Sequence, residues 1–278
     1  WASLAIFYSG QAEETMRTNI AIGYAACTVA AFLFIKKRAW TLIGYLIVFC
    51  LIVAWWLNIK PSNERDWQKD VAVLPYAIIQ DNQITIRNIR NLTYRTETDY
   101  DIHYYDKTFD LNALDSVDLI AVYWMGDAIA HIMMSFGFQD KDFVAFSIET
   151  REEKDEGYST IKGFFKQYEL IYIVGDERDL IRVRTDYRNP QEDVYLYRLK
   201  LDRERAQKLF MEYIRQINDM KKRPIWYNTL STNCTTNIAM HIRTFSDHIR
   251  YNWKILLSGY APLYAYEIGA LDTSLPFA

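Results

Sequence analysis

The chain has 278 residues, 24% of them charged and 15% aromatic, with a net charge of −3. Abundant aromatics beside only 10 Gly and 6 Pro exclude a disordered, collagenous or coiled-coil chain. The slight acidity offers no basic face, so no nucleic acid is expected as a partner.

Charge is unevenly spread. Residues 1–59 hold six charged side chains, Glu13, Glu14, Arg17, Lys36, Lys37 and Arg38, whereas 60–278 carry 28 basic and 33 acidic residues. The expected organisation is therefore a membrane anchor over 1–59 and a soluble catalytic body over 60–278. Segments 19–35 and 41–59 contain no charge. At about 1.5 Å per residue each spans roughly 25–29 Å, close to the hydrocarbon thickness of a bilayer. Neither has the polar stripe of a globular surface helix, and Trp40, Trp55 and Trp56 stand at the run ends, at headgroup depth. A two-helix transmembrane hairpin is predicted, with buried core helices as the alternative. Lys36-Lys37-Arg38 places the connecting loop in the cytoplasm by the positive-inside rule. The body then lies across the membrane, in a Gram-negative bacterium on the periplasmic side of the inner membrane. The apolar segment 1–8 reads either as the end of an earlier span or as an interfacial segment.

After a polar linker at 60–69, strands are expected at 83–87, 118–124, 143–149, 167–174, 179–185 and 193–199 from alternating or clustered apolar residues. Gly175-Asp176-Glu177 reads as a hairpin turn joining two of them. Segment 202–221 has apolar residues at three- and four-residue steps behind Asp202 as N-cap, the signature of a helix. The fold class is α+β, an antiparallel sheet with packed helices.

Cysteine usage narrows the chemistry. Cys27 and Cys50 fall in the two apolar spans, which leaves Cys234 alone in the body, in Asn233-Cys234-Thr235-Thr236-Asn237. Three cysteines, an odd number, make no disulfide framework. Polar capping residues before the periodic run Cys234, Ile238, Ile242, Phe245 put the thiol in a helix's first turn. First-turn N–H groups and the helix dipole are expected to lower its pKa and make it a nucleophile. Of the four histidines, His241 lies seven residues along the same helix, about 10 Å up the axis, and His248 farther. His103 sits in a polar loop. His131, in the apolar strand-like run 129–138, is the candidate base. On the next strand Ser147 and Glu149 share a face by period two, and Glu149 is the candidate to orient the imidazole. Cys234, His131 and Glu149 are thus the expected catalytic residues, and the Cys234 N–H with Asn233 or Tyr227 the expected oxyanion donors. No metal is expected, since no paired-Cys or His-x-x-x-His spacing occurs, and no glycine-rich phosphate loop is present.

His in a strand before Cys opening a later helix is the order of circularly permuted papain-like enzymes. Ala130-His131, Ser135-Phe136-Gly137-Phe138, Ser147-Ile148-Glu149-Thr150-Arg151, Tyr168-Glu169-Leu170-Ile171-Tyr172, Asp176-Glu177-Arg178-Asp179 and Asn233-Cys234-Thr235-Thr236-Asn237 resemble the Lnb-type lipoprotein N-acyltransferase periplasmic domain, over roughly residues 61–277. The resemblance implies a thiol enzyme without a cofactor that moves a fatty acyl chain from a phospholipid to the N-terminal cysteine amine of a lipoprotein, at the lipid bilayer. Ser147 joins Asn233 and Tyr227 as an expected substrate-binding or oxyanion residue. A papain-like cysteine amidase or peptidase, and a non-enzymatic tethered interaction domain, stay open as alternatives.

Overall fold

Residues 1–9, 13–139, 141–246, 249–250 and 252–274 are described by the structure, a computed structural model. Three helices lead: α1 (Ala2–Ser9), α2 (Glu14–Phe34) and α3 (Arg38–Asn58). The last two are long and apolar enough to cross a membrane, and only 6% of the apolar window of each is buried within the chain. They are not core helices; apolar surface of that extent fits against lipid. α1 packs on both, with Ala2, Ala5 and Ser9 buried.

Strands follow as β1 (Tyr76–Gln80), β2 (Gln83–Arg90), β3 (Thr93–Tyr94), β4 (Tyr100–Asp101), β5 (Tyr104–Asp110), β6 (Leu114–Tyr123), β7 (Ala130–Phe138), β8 (Asp142–Arg151) and β9 (Glu169–Gly175). Then come α4 (Glu177–Arg182), β10 (Asp193–Arg198), α5 (Arg203–Lys222), α6 (Cys234–Arg243), α7 (Trp253–Leu256) and α8 (Ala261–Glu267). The main sheet runs β1-β2-β9-β8-β7-β6-β10, with β5 pairing β2. Its neighbours are antiparallel except β2 and β9, which meet in parallel at Arg90↔Gly175, so the sheet is mixed rather than purely antiparallel.

Period-two alternation divides the sheet between two layers. Ile132, Met134 and Phe136 of β7 pack with Phe146 of β8 and with Leu209, Phe210 and Tyr213 of α5. Met133 of β7 and Ala145 of β8 face the other way, onto a smaller cluster with Leu180 of α4, Trp67 and Val71. Asp202 caps α5 by accepting from the Arg205 N–H, as its sequence predicts.

One expected element differs. The hairpin at Gly175-Asp176-Glu177 and the strand at 179–185 are instead α4 followed by a π-helical turn, Val183–Tyr187. Leu180 and Val183 are buried at helical spacing, and Glu177 and Asp179 at the start with Arg182 at the end suit the helix dipole. Asp179 is fully buried and takes a bidentate ion pair from Arg90 of β2 at 2.9 and 3.0 Å, with the Leu92 N–H and Tyr94 hydroxyl as further donors. That pair pins α4 to β2.

The helices at the start are fastened to the body. The Lys166 ammonium donates to the carbonyls of Trp56, Leu57 and Ile59 at 2.8–3.2 Å, covering the C-terminal end of α3, where helix carbonyls lack partners. Phe165 is buried against Trp1 and Tyr8, and the Ser9 hydroxyl donates to its carbonyl. The linker that follows is held along its length: Trp226 Nε1 donates to the Ile59 carbonyl, the Ser62 N–H to Glu169 and the Asn63 amide to the Met220 carbonyl.

Candidate active site

Two strands and one helix build the site. The β6–β7 ladder runs to Ala130↔Tyr123, whereas the β7–β8 ladder stops at Met133↔Ser147. β7 and β8 therefore part at the end that carries His131 and Glu149, and the Ile132 N–H is left to hydrogen-bond the Cys234 sulfur. Cys234 arrives from the other layer. It is the first residue of α6, behind Asn233 as N-cap, and packs against the α5-side core. Cys234, His131, Glu149, Tyr227, Asn233 and Arg184 all line one cleft of about 760 Å³.

Hydrogen bonds fix the state of the histidine. His131 Nε2 lies 2.6 Å from Ser147 Oγ, and Ser147 Oγ lies 2.5 Å from Glu149 Oε1. The carboxylate only accepts, so the serine proton is directed to Glu149 and the serine oxygen accepts Nε2–H. A neutral ring with its proton on Nε2 has its lone pair on Nδ1. Glu149 is 3.6 Å from the ring nitrogen and also accepts from Arg184 at 2.9 Å. Desolvation would raise the Glu149 carboxyl, but Arg184 and His131 outweigh it and hold it well below the usual carboxylate range. Burial, with Arg184 adding repulsion, pushes His131 down to about 3, so the imidazole is neutral at rest.

The thiol departs from its expected state. Burial pushes Cys234 up, against the opposing N–H of Ile132 and the Thr235 hydroxyl, 3.7 Å from the sulfur. The N–H groups that the sequence counted on are present, but desolvation in the packed first turn outweighs them. No hydrogen bond joins Cys234 to His131 among the described residues. The resting pair is thiol and neutral imidazole, not a preformed thiolate.

Of the three residues expected on the substrate side, Ser147 and Asn233 are engaged elsewhere. Ser147 is fully buried and bridges His131 to Glu149, so it belongs to the relay. The Asn233 amide is engaged in capping: Oδ1 accepts from the Thr236 N–H at 2.9 Å and Nδ2 donates to the Thr229 carbonyl at 2.7 Å. Tyr227 lies close enough to Cys234 to sense the sulfur once it is ionised and is hydrogen-bonded to Tyr158; burial first, then that charge, raises its hydroxyl above the ordinary tyrosine range. Arg184 was missed, because it stands in a segment read as a strand and its reach to Glu149 depends on the π turn.

Among the other histidines, His241 is buried with Nε2 2.8 Å from the Tyr172 hydroxyl, and burial lowers it to about 4. His103 is exposed in a loop, and His248 lies outside the described residues. Much of the remaining motif set is framework. Ser135 donates to Glu177 at 2.5 Å, Tyr105 to Asp176 at 2.6 Å, and a Cβ on Gly137 would stand 2.1 Å from Ser116 Oγ.

The family model of the Lnb N-terminal periplasmic domain matches residues 100–263, more than half of the chain. The chain belongs to that family. The match runs from β4 into α8 and includes His131, Ser147, Glu149 and Cys234, while the two long apolar helices and β1 to β3 lie before it. A periplasmic Lnb domain behind two apolar helices fits membrane anchoring with the domain in the periplasm. No curated protein and no solved structure matches the chain.

Proposed function

We propose that the protein is an inner-membrane-anchored thiol acyltransferase that takes a fatty acyl chain from a phospholipid onto Cys234 and passes it to an amine, the N-terminal cysteine amine of a lipoprotein. The observation that carries this reading is the relay Glu149–Ser147–His131, which sets the imidazole tautomer beside the lone thiol of the body. Order of residues and fold class agree with a permuted papain-like thiol enzyme.

His131 Nδ1 removes the Cys234 proton as the sulfur attacks the ester carbonyl, the contact closing on substrate binding. A C–S bond forms, the bond from the acyl carbon to the ester oxygen breaks, and His131 returns the proton to the departing lyso-lipid oxygen. The acceptor amine then attacks the thioester; His131 takes a proton from the amine and gives it to the leaving sulfur. The Glu149 charge stabilises the imidazolium that exists between these transfers. The Cys234 N–H and the Tyr227 hydroxyl are the donors for the oxyanion. No cofactor and no metal takes part.

Intact mass spectrometry of the solubilised chain after incubation with phospholipid tests the proposal. Wild type should gain a fatty-acyl mass that hydroxylamine removes; Cys234→Ser and His131→Ala should not. Ser147→Ala, which breaks the relay, should slow adduct formation by roughly 10²–10⁴-fold. Absence of any adduct, with Cys234 inert to alkylation in the folded protein, overturns the reading. A thioester that turns over in buffer without an amine would instead identify a hydrolase.

A further inference from the structure

Six large apolar side chains on the segments that border the cleft stay between 39% and 55% exposed: Trp124 and Met125, which line it, and Ile161, Leu230, Trp253 and Leu257, which stand beside or near the lining residues Thr160, Thr229, Leu256 and Ser258 in sequence. They come from four separate segments, the β6–β7 connection, the loop after β8, the approach to α6, and α7 with the residue after it. Those segments are locked to one another. The Thr229 hydroxyl and N–H donate to the Thr160 and Gly163 carbonyls, the Gly259 N–H donates to the Ala128 carbonyl, and the Trp124 ring meets Tyr158 edge-on at 5.8 Å. Gly259 permits the last contact, since a Cβ there would lie 2.0 Å from the Asp127 carbonyl oxygen. The rim thus holds these exposed apolar side chains in fixed positions, where an apolar partner can cover them.

What covers it follows from where the rim stands. The loop that presents Ile161 runs into Phe165, packed on α1, and Lys166, bound to the final carbonyls of α3. Five residues reach at most about 18 Å when fully extended. Here three of them, Lys162–Phe164, are a 3₁₀ turn, which rises only about 2 Å per residue. Ile161 therefore lies well within about 18 Å of Lys166, and is thereby close to the end of α3, which Lys166 covers. Trp124 and Trp253 have the amphipathic rings that settle at headgroup depth.

We propose that this rim seats in the outer layer of the bilayer beside the chain's own anchor, so that the cleft opens directly onto lipid. The occupant is the bilayer itself. The inference requires only that the two long helices cross a membrane; it does not depend on acyl transfer.

The test uses the full chain carrying Cys234→Ala, reconstituted in phosphatidylcholine vesicles, with benzoylphenylalanine placed at Ile161, Leu230 or Trp253. The comparison site is Ile78 of β1, 41% exposed on the opposite edge of the sheet. Irradiation should add a phospholipid mass at each rim position with a yield at least about tenfold above Ile78. Yields no higher than at Ile78, or cross-links to a second copy of the chain in place of lipid, would overturn the proposal. Since Cys234 is absent from these proteins, lipid capture at the rim holds whether or not wild type forms a thioester.

Discussion

A neutral thiol beside a neutral imidazole behaves differently from an ion pair, and the difference is measurable at one residue. Burial raises Cys234 above the ordinary thiol range and lowers His131 to about 3, so the sulfur is ionised only as pH rises through its own elevated value. Alkylation of Cys234 by iodoacetamide should be slow near neutrality and still be climbing above about pH 9, beyond the usual thiol pKa of about 8.5. A plateau between pH 5 and pH 8 would reveal a thiolate–imidazolium pair and refute this account of the resting state. The sequence had pointed the other way because the helix N-terminus is visible in Asn233-Cys234-Thr235-Thr236, whereas the packing that removes water from the sulfur is not. Ser147 teaches the same lesson. Its position on the face of Glu149 is readable by period two, but its place between carboxylate and imidazole depends on the register of β7 against β8.

At the scale of elements, α6 depends on its cap. Asn233 and Thr236 exchange side-chain to backbone hydrogen bonds, and the Asn233 amide also ties back to Thr229. Asn233→Ala should cost about 1 kcal/mol. That lowers Tm by about 2–4 °C for a body of this size. Asn233→Asp, which keeps the accepting oxygen, should retain most of it. Scanning calorimetry of the two variants decides the point; equal Tm values would show that Asn233 does not act through the cap. Elements with strong local signals were legible: α5 from its spacing and Asp202, the start of α6 from its polar run, β7 and β8 from their apolar runs. Segment 179–185 was not, because Leu180, Ile181 and Val183 satisfy a strand and a helix alike, and the partner that decides between them, Arg90, lies far away in sequence. β1 and β5 escaped notice for a similar reason, being half-exposed edge strands with weak alternation.

For the molecule as a whole, acid should be destabilising through the site. His131 has a folded pKa near 3, below the value of about 6.5 in an unfolded chain. Between those values the unfolded state binds a proton that the folded state refuses, so stability is present above about pH 6.5 and declines as pH falls toward 3. Glu149, also depressed, adds a loss of the same sign below about pH 4.3. Buried Glu169, raised to about 7 by desolvation, works in the opposite direction, so the informative quantity is a difference. Tm of wild type should fall more steeply than that of His131→Gln from about pH 7 to about pH 4.5; parallel curves would show that His131 does not carry the effect. The fastening of the linker also sets a boundary on the territory this protein can serve. With Ile59, Ser62 and Asn63 all bonded to the body, no slack remains between anchor and cleft. If the proposed transfer is its reaction, the chain is a fixed workstation and not a lure on a line: an acceptor is within reach only while it resides in the membrane that holds the anchor.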